Sequence, residues 1–185
     1  MMIFCISKPF VPQKLLLQWI FMADKIEKKI ADWFSDAKKV VVAGIGNPIR
    51  RDDFVGMKIV QDLQGAVPKN VSLIECETVP EGFMQEIVEI KPSHVLLVDA
   101  AILGLKPGEM RLVFPEQVMD FPAITTHMLP LRIFCEYIAK MAKAKIALLL
   151  IEPEDTEFGE GLTPRIQVTA EKVAVMLRRL LCKTC

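Results

Sequence analysis

The chain has 185 residues, of which 52% are hydrophobic and 25% are charged, and this composition is typical of a globular protein rather than a disordered one. This length allows one domain with a complete core and leaves little room for two. The 23 basic residues balance the 23 acidic ones, so the formal net charge is zero. Nucleic-acid-binding proteins usually have a basic excess, so we expect no nucleic-acid partner.

The first 23 residues include an apolar run, residues 15–22, that is too short to span a bilayer. It lacks the small-residue cleavage site of a secretory signal, so we expect no stable membrane insertion. Translation could begin at Met22, which would leave residues 1–21 as upstream sequence. We therefore divide the chain into an N-terminal extension with a short helix, residues 1–37, and a single catalytic α/β domain, residues 38–185.

Five cysteines with irregular spacing make a poor disulfide framework, which suits a reducing compartment such as the cytoplasm. Cys76 and Cys135 lie inside apolar patterns and are expected to be small buried residues. Cys182 and Cys185 form a C-x-x-C pair, but redox pairs of this form open a helix, whereas this pair closes one. We interpret it as a frayed tail.

Continuous apolar runs alternate with segments of helical periodicity along the whole chain. The runs predict five strands, at residues 40–45, 71–76, 94–101, 110–114 and 145–151. Helices are predicted at residues 24–34, 55–63, 80–90 and 131–141, and a last one begins with Thr169 as its N-cap.

This alternation predicts βαβ units, and hence an α/β fold: a three-layer α/β/α sandwich around a twisted, mostly parallel five-stranded sheet. The connection between the third and fourth strands is too short for a helical crossover. The fourth strand is therefore predicted to be antiparallel.

A glycine turn, residues 44–49, follows the first strand and half-matches the dinucleotide-binding fingerprint. Ile49 stands where the third glycine would be, and Asp52 and Asp53 would repel a pyrophosphate. Glu75, near the end of the second strand, could still hold a ribose, so a dinucleotide-binding oxidoreductase stays open as an alternative. The plainer interpretation is a tight turn in which glycine allows close packing.

Acidic residues follow two of the predicted strands. An aspartate just before a helix is most often an N-cap, and this interpretation fits Asp52, which leaves Asp53 available for other work. Asp99 comes directly after the third apolar strand, where a buried carboxylate needs a partner. Ligands of open α/β sheets gather at this carboxyl edge.

The chain has two histidines, His94 and His127. His94 precedes the third strand, at the opposite end from Asp99, and is expected to be solvated. His127 lies in a loop that runs into a helix, so Asp53, Asp99 and His127 could converge on one edge of the sheet. A set of two carboxylates and an imidazole would leave coordination positions of a bound metal open, and such a set suits Zn, Mn, Ni or Fe. The sequence has no Gly-x-Ser-x-Gly nucleophile elbow.

With these residues assembled, residues 38–181 resemble the nickel–iron hydrogenase maturation endopeptidases, and most closely the branch that processes formate-hydrogenlyase-type hydrogenases. Four features carry the resemblance in order: Gly44-Ile45-Gly46-Asn47 with Asp52-Asp53 and Gly56, then Leu97-Val98-Asp99-Ala100, then His127, then Gly161-Leu162-Thr163-Pro164.

The resemblance implies an enzyme that removes the C-terminal extension from the nickel-loaded precursor of a hydrogenase large subunit. It implies Asp53, Asp99 and His127 as both catalytic and metal-binding residues. The nickel is expected to be carried by the substrate, and another divalent metal could substitute for it. We also expect a cytoplasmic monomer; a nickel-sensing chaperone without hydrolytic activity is the remaining alternative.

Overall fold

The computed structural model describes residues 24–120 and 128–183; His127, Cys185 and the apolar run at residues 15–22 lie outside the described residues. The strands are β1 (Val40–Ile45), β2 (Val71–Glu77), β3 (His94–Ala100), β4 (Met110–Val113) and β5 (Lys145–Ile151). The helices are α1 (24–33), α2 (Val55–Leu63), α3 (Met84–Ile90), α4 (Met128–Ala142) and α5 (Pro164–Leu181). None of the helices in the described ranges has the length and apolar content that a membrane crossing needs.

The five strands form one sheet in the order β2-β1-β3-β5-β4. The pairs β1–β2, β1–β3 and β3–β5 are parallel, whereas β4 pairs with β5 in the antiparallel direction. The predicted α/β fold and its antiparallel fourth strand are thereby confirmed. β1 and β3 are central, so the carboxyl ends of both, which lead to Asp53 and Asp99, lie side by side.

The core consists of two apolar clusters, one on each face of the sheet. Side chains of β1 alternate between them: Val42 faces α1, α2 and α5, whereas Val41 and Ala43 face α3 and α4. Every residue of β1 and β3 is buried, because both faces of these strands are covered by helices. Cys76 and Cys135 belong to the second cluster and are free thiols, as predicted.

Helix α1 packs against the first of these clusters, to which it and the turn after it contribute Ile26, Ile30 and Phe34. An ion pair between Glu27 and Arg179 joins it to α5. The division of the chain at residue 37 stays a prediction, but residues 24–36 share the core of the catalytic domain.

Helix α5 begins earlier than the sequence indicated. Thr163 is its N-cap and Pro164 occupies its first turn, where the fixed φ of proline suits a helix. Thr169, the predicted N-cap, lies inside the helix, and its hydroxyl donates to the Arg165 carbonyl oxygen at 3.2 Å. Because two glycines at positions 159 and 161 precede it, Pro164 was assigned to a loop from the sequence, although it begins the helix.

The expectation that His94 is solvated is wrong: the side chain is 1% exposed. The edge of its ring packs against Trp33 at a centroid distance of 4.8 Å, and its Nδ1 lies 3.0 Å from the Ser93 hydroxyl. Burial lowers the pKa of His94, although the nearby Asp36 carboxylate acts in the opposite direction and the Lys145 ammonium adds to the lowering. The neutral imidazole is therefore the form that the fold prefers.

The buried His94 should make the protein less stable in mild acid. Its pKa is below the ordinary value of 6.5 in the folded protein, so the unfolded chain binds more protons as the pH falls below that value. The stability is fully present above pH 6.5 and is lost as the pH falls through the folded pKa. In urea unfolding, the free energy of unfolding should fall less between pH 7 and pH 5.5 for His94→Gln than for the wild type. Equal slopes would contradict the assignment.

Candidate functional site

Two glycines bring the start of α2 against the central strands. A Cβ on Gly56 would lie 2.1 Å from the Val98 carbonyl oxygen and 2.3 Å from the Ile45 carbonyl oxygen. A Cβ on Gly44 would lie 2.3 Å from the Gly56 carbonyl oxygen. Only glycine permits such an approach, so the predicted close packing is confirmed. Because Gly56 contacts the residue before Asp99, the preceding turn is held next to the end of β3.

The turn that carries Asp53 is fixed by its own backbone. The Asp53 N–H donates to the Arg50 carbonyl oxygen at 3.0 Å, and its carbonyl oxygen accepts from the Asn47 N–H at 3.3 Å. A Cβ on Gly46 would lie 2.1 Å from that same carbonyl oxygen. We call residues 46–54 the acidic turn. Its shape places the Asp53 main chain against the glycine that follows β1.

Gly46 therefore makes room for the protein's own main chain, which argues against the dinucleotide alternative. In a dinucleotide fold, the corresponding glycines let a pyrophosphate approach the backbone. Here that space is filled by Asp53. Glu75, the candidate ribose ligand, instead accepts a hydrogen bond from the Gln61 side-chain amide at 2.8 Å.

Asp99 lies at the carboxyl end of β3 and is 5% exposed. The pKa of Asp99 is raised to about 8, mainly by burial and then by the charge of Asp53, whereas the hydrogen bond from the Ala100 N–H at 2.8 Å acts in the opposite direction. The charge of Asp53 acts on Asp99, and Gly56, just after the turn that carries Asp53, packs against Val98, so the two acids lie at the same edge of the sheet. A cation beside them would stabilise both ionised forms.

The structure brings together two of the three predicted site residues, Asp53 and Asp99. His127 lies outside the described residues. Within residues 24–120 and 128–183, no group of three His, Cys, Asp or Glu side chains is arranged to hold a metal ion. The complete ligand set therefore stays a prediction. The two carboxylates that are described have the donor chemistry that it requires.

Asp52 does not cap α2, which corrects the prediction made from the sequence. The N-cap position of α2 is occupied by Phe54, and no side chain bonds to the cap. Asp52 is instead 0% exposed, and its carboxylate accepts hydrogen bonds from the Glu154 and Asp155 N–H groups and from the N–H and hydroxyl of Thr163. It joins the acidic turn to the loop between β5 and α5, residues 152–163.

A third buried acid, Glu152, was not singled out in the sequence. It directly follows β5, and its Oε2 accepts hydrogen bonds from the Leu103 N–H at 2.6 Å and the Leu105 N–H at 3.1 Å. It thus holds the loop that begins just beyond Asp99. The signal was present in the sequence: an acid that ends a continuous apolar run has to find donors.

A cavity of about 580 Å³ opens at the opposite edge of the sheet, near the start of β5. Side chains of Trp33, Phe114, Arg132, Glu136 and Lys145 are among those that line it. Neither Asp53 nor Asp99 lines this cavity.

Comparison with known proteins agrees with this fold. The family model HycI, described as hydrogenase maturation protease, matches residues 57–179, a span that includes Asp99 and His127 and begins after Asp53. The predicted hydrogenase maturation protease MJ0631 of Methanocaldococcus jannaschii is 33% identical over 141 residues, which cover 72% of this chain and 83% of the relative. The hydrogenase 3 maturation protease of Escherichia coli K12 is 29% identical over 133 residues, covering 72% of this chain and 85% of that protein.

Solved structures similar to this chain are also hydrogenase maturation proteases. The crystal structure of the NiFe hydrogenase maturation protease HycI from Thermococcus kodakarensis superposes with a TM-score of 0.76 at 32% identity, covering 82% of this chain and 97% of that one. The solution structure of the endopeptidase HycI from Escherichia coli has a TM-score of 0.69 at 27% identity, covering 77% of this chain and 90% of that one. This chain therefore belongs to the HycI family of hydrogenase maturation proteases, and it is an endopeptidase.

Proposed function

We propose that this enzyme removes the C-terminal extension from the nickel-loaded precursor of a nickel–iron hydrogenase large subunit, with Asp53, Asp99 and His127 as its catalytic and metal-binding residues. The observation that carries the proposal is the buried Asp99 next to the charge of Asp53 at the carboxyl edge of β3. Similarity to the hydrogenase 3 maturation protease of Escherichia coli supports a hydrogenase precursor as the substrate, and we propose that this hydrogenase is of the formate-hydrogenlyase type.

Nickel enters this proposal as part of the substrate. The two carboxylates, with His127 as a third donor, would recognise nickel that the precursor already holds, and another divalent metal could substitute. Such a metal would supply Lewis acidity, which polarises a carbonyl group and lowers the pKa of water. The chain itself would contribute orientation: Asp99 is held by the Ala100 N–H, and the Asp53 main chain is held by the acidic turn.

Exposed apolar side chains at the same edge favour a protein substrate. Each of the four loops that follow a parallel strand exposes a large apolar side chain; these are Ile49, Val79, Ile102 and Phe158. The other large apolar side chains exposed in the described residues lie on α4 and α5. Exposed apolar side chains that gather on one part of a surface can contribute to a protein-interaction site. We further propose that the enzyme acts in the cytoplasm as a monomer.

The direct test is the intact mass of the purified precursor before and after incubation with the enzyme. We expect the nickel-loaded precursor to lose its C-terminal extension and the nickel-free precursor to keep its mass. Stable complex formation without a mass change would favour the nickel-sensing chaperone instead. Equal cleavage of both precursors would overturn the role of nickel while leaving the endopeptidase activity intact.

A further inference from the structure

We propose that Asp52 is a positioning residue for the hydrolysis: by fastening the loop of residues 152–163 to the acidic turn, it holds the adjacent Asp53 in place beside Asp99. This inference rests on the proposed function, because it assigns a role in that same reaction. It gives the two neighbouring acids different roles. Asp53 contacts the metal-bearing substrate, whereas Asp52 contacts only the protein.

The hydrogen bonds of Asp52 use its whole acceptor capacity. Its Oδ1 accepts from the Thr163 N–H at 2.7 Å. Its Oδ2 accepts from the Glu154 N–H at 2.9 Å, the Asp155 N–H at 2.9 Å and the Thr163 hydroxyl at 3.0 Å. An ionised carboxylate offers about four acceptor sites, and such charge-assisted bonds are stronger than neutral ones. The side chain is thus held in the interior by four hydrogen-bond donors, with no cationic group among these contacts.

Backbone hydrogen bonds extend the junction on both sides of Asp52. The Asp52 N–H donates to the Asp155 carbonyl oxygen at 3.1 Å, and the Arg51 N–H donates to the Gly159 carbonyl oxygen at 2.9 Å. The Gly159 N–H in turn donates to the Ile49 carbonyl oxygen at 3.0 Å. The two loops are therefore joined over several residues, and Asp52 is the buried centre of the junction.

The same junction orients side chains at its exposed rim. The Arg50 Nε donates to the Thr156 carbonyl oxygen at 3.0 Å, and the Arg50 guanidinium lies 5.4 Å from the centre of the Phe158 ring. Phe158 is 71% exposed. Loss of the Asp52 hydrogen bonds would consequently leave both Asp53 and Phe158 less firmly held.

Asp52→Asn tests the proposal because an amide cannot replace this carboxylate. Asparagine has one acceptor oxygen, and its NH₂ group would face N–H donors wherever it is placed. If the amide oxygen takes the place of Oδ2, the Thr163 N–H loses its acceptor. If it takes the place of Oδ1, the N–H groups of Glu154 and Asp155 lose theirs, whereas the Thr163 hydroxyl can rotate and accept from the amide. The damage is confined to loops, so the sheet and its helices should stay folded.

Kinetics on the nickel-loaded precursor separate positioning from general stability. For Asp52→Asn we expect kcat to fall about 10- to 100-fold, since small displacements of a reacting group cost that much, while KM changes less than about threefold. Thr163→Val removes one donor and leaves three, so its kcat should lie between those of the wild type and Asp52→Asn. Asp36→Asn, a surface change at the opposite edge, should leave kcat and KM at their wild-type values. An unchanged kcat, or a loss that disappears on cooling as the folded fraction recovers, would overturn the proposal.

Amide hydrogen exchange gives a readout that needs no substrate. In Asp52→Asn the Asp53 amide, which donates to the Arg50 carbonyl oxygen, should exchange at least about tenfold faster, together with the amides of Glu154, Asp155 and Thr163. If only the three loop amides accelerate, Asp52 fastens the loop without fixing Asp53, and the proposal is wrong. If the wild type fails to cleave the precursor, the proposed function is wrong. The exchange rate of the Asp53 amide would still show whether Asp52 holds Asp53 in place.

Discussion

Replacing Asp99 by asparagine is expected to stabilise the protein, by on the order of 5 kcal/mol at pH 8, because it removes a carboxyl group whose ionisation the fold opposes. Burial, followed by the charge of Asp53, raises the pKa of Asp99 to about 8 from its ordinary value of 3.8. Asparagine keeps the oxygen that accepts from the Ala100 N–H and carries no charge. A group kept for function at a cost in stability is a common feature of active sites.

The sign of this effect depends on pH. The folded protein binds the Asp99 proton more tightly than the unfolded chain, so wild-type stability falls as the pH rises from 3.8 toward about 8. The gain from Asp99→Asn should consequently be near zero at about pH 4 and largest at about pH 8. Urea unfolding at several pH values measures it.

Asp36→Asn is a suitable control for Asp99→Asn. The pKa of Asp36 is lowered by its hydrogen bond to Lys145, so neutralising this carboxylate should remove stability near neutral pH rather than add it. A gain from Asp99→Asn that does not change between pH 4 and pH 8 would contradict the raised pKa of Asp99.

Gly56→Ala is expected to be among the most damaging single changes in this chain, with a loss of about 4 kcal/mol or more, or no folded protein at all. The added methyl group would lie 2.1 Å and 2.3 Å from two main-chain carbonyl oxygens, those of Val98 and Ile45. Neither strand can move away without disturbing the centre of the sheet. Relaxation would therefore displace the start of α2 and, with it, the turn that carries Asp53.

Gly82→Ala provides the matched control. Gly82 lies in the short 3-10 helix Pro80–Phe83, and a Cβ there would meet nothing within 4 Å. We expect its free energy of unfolding to stay within about 0.5 kcal/mol of the wild type. Chemical denaturation of both variants, followed by far-UV circular dichroism, tests the comparison. A Gly56→Ala protein as stable as Gly82→Ala would refute the close contact between α2 and the strands.

The features that could be predicted from the sequence depend on local patterns. Continuous apolar runs predicted the strands, and the short connection after β3 predicted the antiparallel β4. Asp99 could be recognised because an acid directly after a buried strand has few structural explanations. The same signal at Glu152 was overlooked, although its physical basis is identical.

The features that could not be predicted depend on partners distant in the sequence. The donors to Asp52 come from residues 102 to 111 positions away, so the local pattern of two acids before a helix suggested a cap. His94 was expected to be solvated because it precedes β3 at the opposite end from Asp99, but its aromatic neighbour Trp33 comes from α1, which is distant in the sequence. Tertiary contacts decide such cases, and no local spacing shows them.

The central claim is that Asp99 belongs to the site that cleaves the precursor. The most direct test incubates nickel-loaded precursor with the wild type and with Asp99→Asn, at equal concentrations, and follows the intact mass of the large subunit over time. We expect the wild type to shorten the subunit, and the more stable variant to be slower by about 10³-fold or more, as for loss of a group at the reacting centre. Because that variant should be at least as well folded, its inactivity could not be attributed to unfolding. Cleavage by Asp99→Asn at a rate comparable to the wild type would contradict the account.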